Sequence, residues 1–103
     1  MDLLPVELKI RLPPLLSQEA DYEPIVYARY FLAGTCRSWY VIEGEVEDGD
    51  FGFFGFVSGT SDEFGRFLLS ELQSARGPNG ETVQRDLNFV EGKLTDVVPA
   101  PDV

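Results

Sequence analysis

Hydrophobic and polar residues alternate in two registers along this chain, and the change of register predicts an α+β fold. Val6-Glu7-Leu8-Lys9-Ile10-Arg11-Leu12 follows Pro5 and precedes Pro13-Pro14. It reads as a short amphipathic helix with Leu8 and Leu12 on one face, Pro5 suiting its first turn and Pro13 stopping it. Ser17 to Pro24 is a polar, acid-rich loop. Four β-rich runs follow, Ile25 to Ala33, Arg37 to Val46, Phe51 to Ser58 and Gly65 to Leu69. Their connections are short, so neighbours should pair as a four-stranded antiparallel meander.

Gly34-Thr35-Cys36 reads as a three-residue hairpin loop. Pairing symmetric about Thr35 sets Tyr30 opposite Tyr40 and Phe31 opposite Trp39. Val26, Ala28, Tyr30, Leu32, Tyr40 and Ile42 then form the core face. The other face holds Tyr27, Arg29, Phe31, Arg37, Trp39, Val41 and Glu43, a mixed set for a helix, the carboxy-terminal segment or a partner to cover. Gly52 and Gly55 inside the third run mark a bulge or a close contact. Ser70 with Gln73 predicts a capping box opening a helix after the sheet. Gly77 is the expected end of that helix and Asn79-Gly80 a turn. Leu87, Phe89 and Leu94 are expected in the core. The expectation is one domain over residues 1–97 and a flexible tail over 98–103.

Several phrases in order carry a family resemblance: Leu12-Pro13-Pro14-Leu15 running into Ser17-Gln18-Glu19, Ile25-Val26-Tyr27, Trp39-Tyr40-Val41, Leu69-Ser70-Glu71-Leu72, Arg76-Gly77-Pro78 and Arg85-Asp86-Leu87-Asn88-Phe89. Across about Leu4 to Leu94 the chain resembles the DUF2958 family. The resemblance implies a small bacterial protein often carried on plasmids, phages and other mobile elements. No activity is assigned to that family, so no catalytic residue carries over. Where family members have a short polar stretch after the tryptophan strand, this chain has the acidic run Glu43 to Asp50.

Composition changes the picture mainly by exclusion. There is no histidine among 103 residues, which removes Ser-His-Asp and Cys-His nucleophile systems and the HExxH zinc site. One cysteine, Cys36, leaves no internal disulfide and no cysteine metal cluster, and fits a cytoplasmic protein. Met1 to Pro5 lacks a basic signal-peptide start, and no apolar run approaches a membrane span. A net charge of −10 opposes direct nucleic-acid binding. Gly92-Lys93 is followed by Leu94, and Leu87 stands where a P-loop needs its first glycine. The glycines at 49, 52 and 55 contain no GxG. No nucleotide cofactor is therefore expected.

The acids themselves are the most unusual feature. Glu43 to Glu63 holds seven acids and no base, so a fifth of the chain carries most of the net charge. An EF-hand starting at Glu45 or Asp48 fails, because its fifth position is Gly49 or Gly52 and its sixth Asp50 or Phe53. No metal is expected. Glu43, Glu45, Glu47, Asp48 and Asp50 are instead expected to form a solvent-facing anionic surface that binds a basic protein surface. The favoured function is a non-enzymatic acidic interaction protein, an inhibitor or mimic acting on a nucleic-acid-handling or host-defence complex. As a DNA mimic the block is sparse: an extended strand spaces its charges about 5 Å apart, against about 1.7 Å in a duplex. The alternatives are a solubilising strand edge and a small carboxylate-based enzyme or ligand-binding domain with a cleft at Arg85. Arg85-Asp86 also reads as an ion pair or turn clamp.

Overall fold

The computed structural model describes residues 1–18, 23–59 and 62–98. Helix α1 (Val6–Arg11) leads into the strands β1 (Ile25–Val26), β2 (Ala28–Leu32), β3 (Ser38–Glu47), β4 (Asp50–Ser58) and β5 (Glu63–Leu68). Helix α2 (Leu69–Ser74), β6 (Val83–Arg85), β7 (Gly92–Lys93) and α3 (Leu94–Val97) complete the α+β domain.

The main sheet is antiparallel with the order β5-β4-β3-β2-β6, and β1 pairs β7 in a separate two-stranded ladder. The expected meander of β2 to β5 is present, but the sheet has five strands rather than four. Strand β6 offers only Val83 as a buried residue, too little alternation to be read from sequence. It forms because β2 presents an otherwise open edge to it.

The first hairpin pairs one residue away from expectation. Tyr30 faces Trp39 and Arg29 faces Tyr40. The loop has four residues: Leu32 N–H donates to Arg37 O, and Thr35 N–H and Oγ1 both fold back onto Leu32 O. A slip of one residue exchanges the faces of a strand. Trp39 and Val41 therefore join Ala28, Tyr30 and Leu32, while Tyr40 and Ile42 move to the opposite side with Val26.

The first face carries the main core, with Phe51, Phe53 and Phe67 of the sheet under Leu8 of α1, Leu12 just after it and Leu72 of α2. The Phe53 ring meets Tyr30 at 5.8 Å and Phe67 at 5.4 Å between centroids. Burial pushes the Tyr30 phenol well above its usual range, and its hydroxyl donates to Leu3 O. Leu8 and Leu12 thus face inward as expected. The second face is covered in part by Phe89, Leu94, Val97 and Val98. Leu87, expected inside, is 67% exposed. Val98 packs on that second face, and the remainder of the expected tail, 99–103, lies outside the described residues.

Helix α2 starts two residues earlier than expected, with Leu68 rather than Ser70 at the N-cap and Glu71 rather than Gln73 at N3. Glu71 accepts the N–H of Leu68 at 3.0 Å, and Ser70 turns toward Asp50 instead of capping. The helix ends at Ala75; Gly77 belongs to the next turn, its N–H donating to Glu81 O at 2.8 Å, with Gly80 at φ 83°.

Candidate functional site: the acidic hairpin and the turn it pins

A β-bulge decides where the acids point. Val41 pairs Gly55 and Glu43 pairs Phe54, so Ile42 is an extra residue in β3. Without it Glu43 would share the face of Trp39 and Val41. With it, Glu43, Glu45 and Glu47 fall on the Tyr40 side. Gly55 makes the bulge possible, because a Cβ there would sit 2.0 Å from the carbonyl oxygen of Tyr40. Beyond the acids, Asp48 (φ 49°) and Gly49 (φ 80°) form the two-residue turn joining β3 to β4. Two consecutive positive φ values match the twist of a hairpin, and Asp-Gly is a favoured pair for them.

The five acids do not all face solvent. Glu43 is 2% exposed, which corrects the expectation of a uniformly outward surface. Its Oε1 accepts the N–H of Leu16 at 2.8 Å and its Oε2 accepts that of Gln18. A buried carboxylate persists only where donors replace its water, and the 15–18 segment supplies them. Glu45 is exposed and accepts the N–H of Leu15 at 2.7 Å. Glu47 pairs with Arg66 of β5. Asp48 is exposed at the turn. Asp50 accepts N–H bonds from Phe51 at 2.8 Å and Ser70 at 3.3 Å, and the Ser70 hydroxyl donates to its second oxygen. The Ser70 hydroxyl, followed by the Phe51 N–H, holds the Asp50 carboxyl below its ordinary range.

The segment pinned by Glu43 and Glu45 enters the sequence reading as a phrase of the family resemblance, not as part of a site. Ser17 N–H donates to Pro14 O at 3.2 Å, closing a turn whose third residue, Leu16, has φ 72°. That position ordinarily goes to glycine or asparagine. The Leu16 side chain is 71% exposed. Gln18 completes the fastening: its Nε2 donates to Ile42 O at 3.0 Å and Ile25 O at 3.3 Å, and its Oε1 accepts Ile25 N–H. The carbonyl freed by the bulge is thereby satisfied. No residue type in the sequence signals a left-handed leucine; the Asp48-Gly49 pair was the only local mark of the hairpin.

Arg85 and Asp86 do not pair with each other. Asp86 holds Arg29 at 3.2 Å, and Arg29 also bonds Ser38 Oγ at 2.9 Å and stacks on Phe31 at 5.0 Å. Arg37 instead lies 4.9 Å from the Trp39 ring centroid on the opposite face, which divides the mixed face expected to hold Arg29, Phe31, Arg37 and Trp39 together. Arg85 lines a groove of about 570 Å³ between α1 and residues 85–91, with Glu7, Arg11, Tyr27 and Glu91. Arg11 pairs with Glu91 across it. Among the described residues, Arg85 has no carboxylate in ion-pair contact. No cluster of three or more His, Cys, Asp or Glu side chains among them is arranged to hold a metal ion. No helix among them is long and apolar enough to cross a membrane.

No curated protein and no solved structure matches the chain. The family model described as "Protein of unknown function (DUF2958)" matches residues 7–97, which span α1 through α3 and so include the bulge, the pinned turn and the groove; the chain belongs to the DUF2958 family.

Proposed function

We propose that this protein is a non-enzymatic interaction module whose acidic hairpin end takes a basic protein surface, with Leu16 as the apolar anchor of the contact. The observation that carries this reading is Leu16 itself. Left-handed backbone costs a β-carbon-bearing residue about 1–2 kcal/mol, and a side chain 71% exposed recovers little of it by packing. Strain of this kind persists where the surroundings enforce it and is concentrated at functional positions. Here Glu43 and Glu45 enforce it. Glu45 accepts the N–H of Leu15 next to the leucine and Asp48 stands exposed at the turn of the same hairpin, so both add negative charge to this end of the molecule. An apolar anchor with a charged rim is the usual anatomy of a protein contact. In this reading Glu43 positions the turn, and Glu45 and Asp48 meet the partner. Nucleic-acid-handling proteins, with surfaces built for phosphate, are the partner class that suits such a rim.

The test is crosslinked affinity capture from host cells with three baits: wild type, Leu16→Gly, and Glu45→Gln with Asp48→Asn. A partner held by wild type in a salt-sensitive manner and lost by both variants is the expected result. Equal recovery on all three baits would overturn the proposal.

One observation favours a second reading, a ligand-binding groove. Arg85 has no carboxylate in ion-pair contact among the described residues, in a groove whose volume falls within the range of about 300–1,000 Å³ usual for small-molecule sites. Asp86 and Glu91 are committed to arginines there, which disfavours a free carboxylate pair for acid–base chemistry. Titrating citrate and inorganic phosphate while following the amides of residues 85–91 by NMR separates the two readings.

A further inference from the structure

We propose that β5 is a self-association edge, at which a second copy of this chain adds its own β5 antiparallel across a two-fold axis at Phe64. The two five-stranded sheets would then run on as one.

Strand β5 is the outermost in the order β5-β4-β3-β2-β6, so among the described residues no strand lies on its outer side in a single copy. Exposed edges are usually blunted by shortness, proline, lysine or a bulge. The opposite edge, β6, has only three residues. Strand β5 has six, Glu-Phe-Gly-Arg-Phe-Leu, and pairs β4 in unbroken register from Glu63 to Leu68. It carries no proline and no lysine, and its two charges, Glu63 and Arg66, fall on opposite faces of the strand. At Gly65, the space where a Cβ would stand is open.

The Phe64 face of this edge is an aromatic patch flanked by charge, with Arg66 two residues along and paired to Glu47. Phe64 is 50% exposed, stacks on Phe54 at 6.0 Å with an interplanar angle of 11°, and meets Phe56 at 5.2 Å. A two-fold axis normal to the sheet keeps equivalent faces on the same side, so directly opposed residues must share parity. Centring on Glu63 or Arg66 would set like charges against each other, which is destabilising. Centring on Gly65 opposes glycine to glycine and contributes no side-chain contact at the axis. Centring on Phe64 opposes the two Phe64 rings and brings Asp62 of each copy, just before β5 and accepting the Gly59 N–H at 3.1 Å, level with Arg66 of the other, which also holds Glu47 of its own copy. Both pairings are favourable cross-strand contacts.

The net charge does not forbid this. Gly52 is level with Leu68, so each Asp48-Gly49 turn lies past the Leu68 end of β5. The two-fold sends these turns to opposite ends of the joined sheet, roughly 45 Å apart at the usual strand rise. Screening acts over about 8 Å at physiological ionic strength. The contact is small, so association should appear toward the upper micromolar range.

Sedimentation velocity of the full-length chain from micromolar to near-millimolar concentration tests the proposal, with hydrogen exchange measured at both ends of that range. The expected result is a mass rising toward twice the monomer, with exchange slowing in β5 and unchanged in β6. Phe64→Lys should weaken association by about tenfold or more, because it replaces an aromatic pair with two apposed ammonium groups. Its thermal unfolding should stay close to that of wild type. A monomer at every concentration, a dimer that leaves β5 exchange unchanged, or a Phe64→Lys protein that associates like wild type would each overturn it. The wild-type measurements decide the matter even if the variant folds poorly.

Discussion

The buried carboxylate of Glu43 accepts the backbone N–H of Leu16 at 2.8 Å, tying the middle of β3 to a turn 27 residues earlier in the chain. Glu43 also accepts the N–H of Gln18. Removing one partner from a buried hydrogen bond leaves the other without water or protein, at about 1–3 kcal/mol for each orphaned group. Glu43→Ala orphans two N–H groups, so it should destabilise the protein by about 2–6 kcal/mol. Glu43→Gln should cost less but remain unfavourable, because its amide NH2 faces an N–H donor. Asp48→Asn, exposed at the turn and compatible with positive φ, should stay within about 0.5 kcal/mol of wild type. Urea unfolding of the three variants measures this. Equal stability of Glu43→Ala and Asp48→Asn would show that the carboxylate does not hold the turn.

Leu16→Gly should move stability in the other direction. Glycine at φ 72° relieves the left-handed penalty of about 1–2 kcal/mol, while the extra freedom of an unfolded glycine costs back about 0.4–1 kcal/mol. The side chain that is lost is 71% exposed, so the packing forfeited is small. The expected net is a gain of about 0.5–1 kcal/mol, read as a higher urea midpoint at unchanged slope. A lower midpoint would mean that Leu16 packs against the fold and is not held under strain.

Local signals in the sequence were sufficient for α1 and for β2 to β5 with their short connections, because proline, glycine and alternation act over a few residues. They were insufficient wherever one residue of register mattered. Thr35 folds back on Leu32 and lengthens the first loop by one residue, which sends Tyr40 and Ile42 to the opposite face. The bulge at Ile42 adds a second inversion, and that is why Glu43 turns to the Tyr40 side. A charge count cannot distinguish an exposed glutamate from one satisfied by N–H groups 25 and 27 residues away. Strand β6 was illegible for a related reason: its place is set by the edge of β2, and only Val83 carries an apolar signal.

Gly55 should be intolerant of even one methyl group. A Cβ would stand 2.0 Å from the Tyr40 oxygen and 2.9 Å from its carbonyl carbon, and both are backbone atoms with no rotamer to yield. Overpacking of this severity costs about 3 kcal/mol or more, and it would open the bulge that orients Glu43. Gly65→Ala, also in the sheet, meets nothing within 4 Å and should be tolerated. Thermal melts of Gly55→Ala and Gly65→Ala should therefore separate widely, and similar melts would exclude a close approach at Gly55.

The Asp50–Ser70 contact should give the protein an acid-sensitive element. The Asp50 carboxyl is held below its ordinary range, first by the Ser70 hydroxyl and then by the Phe51 N–H. A group with a depressed folded pKa favours folding above its unfolded value, about 3.9 for aspartate. That contribution is lost as pH falls through the lower folded value. Wild type should therefore lose stability on acidification from about pH 5 downward more steeply than Asp50→Asn, whose side chain does not titrate. Ser70→Ala removes the largest cause of the shift while leaving the carboxylate in place. It should flatten the same part of the profile by raising the folded pKa toward the unfolded one. Both substitutions also loosen the join between the β3–β4 hairpin and the first turn of α2, so their melts at neutral pH should fall slightly below wild type. The measurement is urea unfolding at intervals from neutral pH down to about pH 2.5, which brackets the unfolded aspartate value. Parallel profiles for wild type and Ser70→Ala would show that the hydroxyl does not set the Asp50 titration.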